Sequence, residues 1–302
     1  MSSNKASHPI EVSLAGRDVR LTNLDRVLWP GDGSTKGWLL QSYLALAPAL
    51  LPHLRGHPIT MWRFPEGVHR SGWWQNECRG APSWVPTYDY VGKDGREHRH
   101  CVIDDEASLM WLVNLGTIEI HPFPFRREEP EAPSWLVFDL DPGEPAGVRD
   151  ACAVALTLRD ALASQRLESF AKTSGAKGMH VFVPLNGAGP FEDAKRFARA
   201  VAAALASELP NVVDQQARSM RSGKVLVDWL QNDRFRSTVA PYSLRATEPA
   251  SVSTPVTWDE VETAASSDER ELTFTVEDAL GRLDTHGDLF EPVLSMRQAL
   301  PL

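Results

Sequence analysis

Cysteine is scarce in this chain, with only Cys78, Cys101 and Cys152 in 302 residues. They show neither a paired framework nor the close spacing of a zinc site, so reduced thiols in a reducing compartment are expected. Long apolar runs are also missing. A membrane span needs about 20 consecutive apolar residues, and the start, Met1-Ser2-Ser3-Asn4-Lys5, lacks the apolar region of a secretory signal. The chain reads as cytoplasmic. Positive charge is short too: 31 Lys and Arg face 40 Asp and Glu, for a net charge of −9. Coating nucleic acid indiscriminately requires a basic surface, so any such contact has to come from local patches. No internal repeat and no low-complexity tail is present. A hydrophobic content of 42% and a charged content of 24% are ordinary for a globular fold. The expected organisation is a flexible tail over 1–9 and a single domain over 10–302, with an N-terminal part to about residue 130 and the remainder from about 131.

What is present is organised around Leu136-Val137-Phe138-Asp139-Leu140-Asp141-Pro142-Gly143-Glu144. An apolar run that reads as a buried strand ends in two aspartates separated by one residue. Side chains alternate along a strand, so Asp139 and Asp141 share one wet face while Phe138 and Leu140 point into a core. Two carboxylates that close repel each other unless a cation or a proton sits between them, which suits a divalent metal. The alternative is a solvated strand end before a Pro-Gly turn. Asp228, in the apolar stretch Val225-Leu226-Val227-Asp228-Trp229, is a second costly carboxylate that a shared metal would satisfy.

Other stretches supply cations and backbone donors. Thr173-Ser174-Gly175-Ala176-Lys177-Gly178-Met179-His180 precedes an apolar strand and offers two glycines, a hydroxyl, a point charge and an imidazole. It reads as a phosphate cradle or as an ordinary hairpin turn, and it lacks the spacing of a Walker loop. Asn23, Arg26 and Lys36 bracket the turn Gly31-Asp32-Gly33, where Ser34 or Thr35 can cap a helix over 36–51. Cations at a helix start can seat a phosphate, or they can simply be solvated. Trp73 and Trp74 are adjacent, so both cannot face the core of one strand and one is expected to be free for stacking. The segment 82–99 mixes Trp84, Tyr88 and Tyr90 with Lys93, Arg96, His98 and Arg99 and reads as an exposed loop or ribbon. A hairpin is expected over 10–21, and strands over 59–64, 117–121, 170–172, 181–185 and 225–229. Helices are expected from Asp104 or Asp105 to about 115, then over 148–166, 191–209, 255–264 and 277–283. His121 ends a strand, and Arg245 follows the apolar segment Thr238-Val239-Ala240-Pro241-Tyr242-Ser243-Leu244.

Taken together, Asp139-Leu140-Asp141-Pro142-Gly143-Glu144, the 173–180 stretch, Val227-Asp228-Trp229 and Ala240-Pro241-Tyr242-Ser243-Leu244-Arg245 closely resemble the polymerase domain of bacterial DNA ligase D. That domain is a member of the archaeo-eukaryotic primase superfamily. The likeness runs from about Val12 to about Phe290 and suggests a stand-alone version of the domain. It implies a primase-like α/β fold, with central mixed or antiparallel sheets flanked by helices. It also implies two-metal nucleotidyl transfer with manganese or magnesium, a nucleoside triphosphate as substrate, and a preference for ribonucleotides at DNA ends. By the same likeness Asp139 and Asp141 hold both metals, and Asp228 holds the one beside the primer 3′-hydroxyl. Ser174, Lys177, His180 and Arg245 line the triphosphate, with His121 nearby. Asn23, Arg26 and Lys36 take the 5′-phosphate across a gap, and Trp73 and Trp74 stack on DNA. Arg26 stands where the family commonly has lysine, the tryptophan pair where it commonly has phenylalanine, and the loop between His121 and Asp139 is short.

The implied role is gap filling or end extension in non-homologous end joining, with primase or terminal-transferase activity, near the bacterial nucleoid. Gapped, 5′-phosphorylated or broken DNA is the implied partner, beside a separate ligase and the Ku end-binding protein. A non-catalytic end-binding module that recruits a ligase accounts for Asn23, Lys36 and the tryptophans equally well, but not for three separated aspartates. A glycosidase is excluded on steric grounds, because same-face carboxylates two residues apart cannot flank a scissile bond.

Overall fold

The computed structural model describes residues 8–92, 95–267 and 272–301. The tail read over 1–9 lies outside the described residues except for His8 and Pro9, as does Lys93 of the basic ribbon. Two sheets organise the rest. In the first, the strand Pro58–Arg63 pairs antiparallel with Thr117–Pro122, Trp73–Gln75 and Glu97–Val102, and the last of these pairs with Thr87–Val91. The expected exposed segment is therefore a ribbon. Helices α1 (Lys36–Leu54) and α2 (Glu106–Asn114) pack on this sheet around Leu39, Tyr43, Leu46, Ile59, Met61, Leu109, Ile118 and Ile120.

The helix ends follow side-chain chemistry. Thr35 caps α1 by accepting from the Trp38 amide at 3.2 Å, and Asp105 caps α2 through a reciprocal pair with Ser108. Asp104 instead accepts from the Gly56 amide at 2.8 Å. α1 runs three residues past its expected end and carries Pro48 and Pro52 inside it, because Leu50, Leu51 and Leu54 are buried against the core. Tertiary burial outweighs the lost backbone bonds there.

The second sheet holds six strands among the described residues, in the order Val212–Val213, Val225–Asp228, Trp135–Pro142, Met179–Pro184, Phe170–Thr173, Pro255–Val256. Only the first pairing is parallel. One face is covered by α3 (Val148–Ser164), α4 (Phe191–Glu208) and α5 (Trp258–Ser266), which bury Leu136, Phe138 and Leu140 of the central strand. The other face buries Trp135 and Val137 against Phe182, Phe290 and Val293. It opens to solvent where Asp139 and Asp141 emerge. Of the helix expected over 255–264, the first two residues form an edge strand instead, and Thr257 caps the helix that follows. The last helix, α6, spans Val276–His286.

One expectation is overturned. Cys78 and Cys101 are joined in a disulfide, and only Cys152 is free. The spacing of 23 residues carries no signal in sequence, because the two cysteines meet only when the Cys78 amide bonds the Arg99 carbonyl at the ribbon's edge. Alkylation of the unfolded, unreduced protein should label a single cysteine, and reduction should lower stability by about 3 kcal/mol for a loop of this size. Labelling of three would restore the reading of free thiols.

Candidate active site

A cleft of about 470 Å³ lies where the two sheets meet, within the usual range for a ligand site. The first sheet contributes Trp74 and His121, the second Asp139, Asp141 and His180, and segments outside the two sheets Ser174, Lys177, Gly178, Gln231 and Arg245, the last on the short strand Leu244–Arg245.

Strand register builds the chemistry. Asp139 lies directly opposite His180 on one side and Asp228 on the other, and His180 lies opposite Lys172. Directly opposed residues present their side chains on one face of the sheet, about 5 Å apart. A row Asp228, Asp139, His180, Lys172 therefore crosses four strands, with Asp141 two residues further on the same side. The four groups bias one another. Burial opposes ionisation of Asp139, yet His180, at 3.3 Å, and the Lys172 and Arg245 charges outweigh it and hold its carboxyl below the usual range. Asp141 and Asp228 go the other way. Burial raises both, the neighbouring Asp139 charge raises them further, and contacts from Arg221 and the Leu230 amide only partly offset this. His180 is pushed down to about 4, first by burial and then by Lys172, so it is neutral at physiological pH. Its buried Nδ1 has no hydrogen-bond partner.

Among the described residues, no group of three or more His, Cys, Asp or Glu side chains converges closely enough to hold a metal ion. The reason is visible in the contacts. Asp139 turns to His180, Asp141 to Arg221 at 3.2 Å, and Asp228 to the Leu230 amide at 2.9 Å and Gln231 at 3.3 Å. The donor set nonetheless fits divalent cations: three carboxylates share one face, and two of them are held above their ordinary range first by burial and then by the Asp139 charge, both of which a cation would offset.

The loop 173–178 is fastened from behind. The Ser174 hydroxyl accepts from the Gly178 amide at 3.1 Å and the Ala176 amide at 3.2 Å, which curls the loop around its own side chain. Arg245 bonds the Ser174 carbonyl, Ser251 the Gly175 carbonyl, and Ser253 the Thr173 carbonyl at 2.7 Å. Lys172, wholly buried, donates to Ser253 at 2.5 Å. Lys177 is exposed at the rim and pairs with Glu144. Gly175 sits at φ +74°, and a Cβ there would meet Arg245 at 2.5 Å; one at Gly178 would meet the Leu140 carbonyl at 2.4 Å. If the cleft takes a nucleoside triphosphate, as the family resemblance implies, Gly175→Ala should raise its KM about tenfold or more with little loss of fold, as read by steady-state kinetics beside a melting curve.

The cations read as a phosphate seat also come together, about the start of α1. The Lys36 amide bonds the Arg26 carbonyl at 2.8 Å, and Asn23 adopts a left-handed φ of +54° in the turn that makes this possible. Lys36 is buried, with Nζ 2.6 Å from the Thr22 carbonyl, and Arg26 bonds the Pro65 carbonyl and Glu66, each at 2.8 Å. Burial, then Arg26, then Arg63 pull the Lys36 pKa down to about 8. Arg63 is thus a third cation of this cluster that sequence reasoning missed. Trp73 and Trp74 are both partly exposed, and neither enters the core. They take opposite faces of an edge strand: Trp74 stacks on Trp62 at 4.9 Å and meets His121 edge-on in the cleft, while Trp73 sits beneath the Arg63 guanidinium at 5.2 Å.

Sequence reasoning also missed Glu119, Lys172 and the Arg221 contact with Asp141. The one available signal was alternation, since Glu119 stands two residues before His121 on one strand and so shares its face.

Residues 35–290 match the family model described as LigD, primase-polymerase domain. The multifunctional non-homologous end joining protein LigD of Mycolicibacterium smegmatis is 36% identical over 292 residues, covering 95% of this chain and 37% of that protein. The corresponding DNA repair protein LigD of Mycobacterium tuberculosis is 34% identical over 289 residues, covering 92% of this chain and 37% of that protein. The chain thus spans little more than a third of the curated relatives it matches. A solved structure of the polymerase domain from Mycobacterium tuberculosis ligase D in complex with DNA superimposes with a TM-score of 0.84 at 32% identity, covering 93% of this chain and 99% of that one. The family model, the curated relatives and the superposition agree, and the chain belongs to the LigD primase-polymerase domain family.

Proposed function

We propose that this chain is a DNA-directed nucleotidyltransferase that fills short gaps or extends ends at DNA breaks. The observation that carries the reading is the row of Asp228, Asp139 and His180 across adjacent strands, in one cleft with Asp141, the Ser174 loop and Arg245. In this reading Asp139 and Asp141 hold two divalent cations and Asp228 holds one of them. Bound there, manganese or magnesium lowers the pKa of the primer 3′-hydroxyl and neutralises charge on the departing pyrophosphate. The Ser174 loop, Lys177 and Arg245 bind and orient the triphosphate, and His180, neutral and tied to Asp139, keeps that carboxylate turned into the cleft. Arg221, 3.2 Å from Asp141, would orient that carboxylate and balance its charge in the metal-free cleft.

Ribonucleotides are the preferred substrate, and the partners are a gapped, 5′-phosphorylated duplex, a ligase and the Ku end-binding protein. Because the protein is acidic overall, its DNA contacts have to be concentrated at sites such as the Lys36 cluster. The test is extension of a gapped, 5′-phosphorylated duplex with each ribo- and deoxyribonucleotide, in manganese and in magnesium. Extension that depends on metal and template is expected. Phosphate-dependent binding without extension in any mixture would leave an end-binding module in place of a polymerase.

A further inference from the structure

Glu119 is 1% exposed, and two of the groups its carboxylate meets, His121 and Arg245, line the cleft. Its Oε2 lies 2.9 Å from His121 Nε2; its Oε1 lies 3.0 Å from Arg245 Nε and accepts from the Ala246 amide at 3.0 Å. Burial raises the carboxyl's pKa, but the bond to His121 and the Arg245 charge outweigh it and hold it below its ordinary range, so it is ionised and can only accept. An ionised carboxylate facing His121 Nε2 requires the proton on that nitrogen. We infer that Glu119 is a positioning residue that fixes the Nε2–H tautomer of His121, turning its Nδ1 into a hydrogen-bond acceptor for a sugar hydroxyl and not a phosphate ligand.

The chemistry of the ring supports this assignment. Burial first, then the Arg245 and Lys172 charges, push the His121 pKa below the ordinary histidine value against the pull of Glu119, so the ring is neutral at physiological pH. With Nε2 committed, Nδ1 is the nitrogen left for a ligand, and in a neutral ring it offers a lone pair. A triphosphate at neutral pH has only acceptors to present, so it cannot satisfy that lone pair. Sugar hydroxyls can, and a ribonucleotide carries one more of them than a deoxyribonucleotide. His121 lines the cleft with Ser174 and Arg245, its ring held edge-on by Trp74 at 4.7 Å. The sugar assignment rests on the nucleotide reading of the cleft, whereas the tautomer does not.

Glu119→Gln separates the parts. Its carbonyl oxygen is needed by the Ala246 amide, a donor, on the side that also faces the Arg245 charge, which leaves its NH₂ facing His121. That group demands a lone pair on Nε2 and drives the proton to Nδ1. Long-range ¹H–¹⁵N spectra of histidine-labelled protein at pH 7.5, with the His121 signal identified by its loss in His121→Phe, should show Nε2–H in the wild type and Nδ1–H in Glu119→Gln. Equilibrium titration with ATP and dATP in manganese should show ATP favoured about three- to tenfold by the wild type, the worth of one hydrogen bond. That preference should vanish in Glu119→Gln, where a loosened Arg245 weakens both nucleotides alike. A wild-type ring with Nδ1–H, or doubly protonated, overturns the inference; a tautomer switch that leaves the ATP to dATP ratio unchanged overturns the sugar assignment. Should Glu119→Gln not fold, the wild-type spectrum decides the tautomer. His121→Phe, which keeps a ring and loses the acceptor, then decides the sugar by the same ratio. Absence of extension on gapped duplex sinks the polymerase reading and leaves both readouts standing.

Discussion

Asp139→Asn, Asp141→Asn and Asp228→Asn should each lower extension by about a hundredfold or more, while the metal-free proteins stay folded. Asparagine keeps the shape and removes the charge that binds a cation. The stability effects should differ within the set, and their signs follow from the titration shifts. A carboxyl whose folded-state pKa is raised weakens the fold while ionised, and that penalty is relieved as pH falls through the raised value. Asp141 and Asp228 are such groups, so at neutral pH their asparagine variants should melt about 1–3 °C above the metal-free wild type. Asp139 is the opposite case. Its pKa is depressed, so its contribution is present above the ordinary carboxylate range and lost as pH falls through the depressed value, and Asp139→Asn should melt lower. Manganese should raise the melting temperature of the wild type, by less in Asp228→Asn, which keeps one of the two cation sites, and not at all in Asp139→Asn or Asp141→Asn. Full activity in any one of them would falsify the metal-binding role assigned to that residue.

Lys36→Ala should weaken binding to a gapped duplex bearing a 5′-phosphate by about tenfold or more, the worth of a charge-assisted bond, and barely change binding to a gap ending in a hydroxyl. The log–log salt slope should flatten by about one unit. A pH dependence follows from the shift of Lys36 to about 8. Below that value the free protein already carries the charge; above it, binding an anion must first recruit a proton. Affinity for phosphorylated ends should therefore decline as pH rises through about 8 in the wild type and stay flat in Lys36→Ala. Fluorescence anisotropy with both kinds of end at several pH values reads all three effects. An equal loss for both ends would make Lys36 a generic backbone contact.

The elements that carry these effects were legible in sequence to different degrees. Alternation along Trp135–Pro142 was enough to set Asp139 and Asp141 on one side and Leu140 on the other, because an extended chain leaves no choice. Capping chemistry narrowed the starts of α1 and α2 to two residues each, because an orphan amide wants a nearby oxygen and only neighbours in sequence can reach it. Such signals are local, and so they survive in one dimension. Helix α1 outran its expected end because burial of Leu54 is a tertiary term that no local count of prolines contains.

Everything that depends on who faces whom across the chain was decided by tertiary structure. The pairing of Asp139 with both His180 and Asp228 is a matter of strand register, set by which hydrophobic faces must be covered. The disulfide is illegible in sequence for the same reason, since a spacing of 23 residues says nothing until the ribbon folds back. Glu119 and Arg245, 126 positions apart, share a buried ion pair that neither neighbourhood announces. The sequence by itself determined which groups could do chemistry and which side of their own strand each occupies, because those follow from covalent geometry. Only the packing of the two sheets decided which of them meet and which lose their charge, because burial and mutual field exist only once distant segments share a cleft.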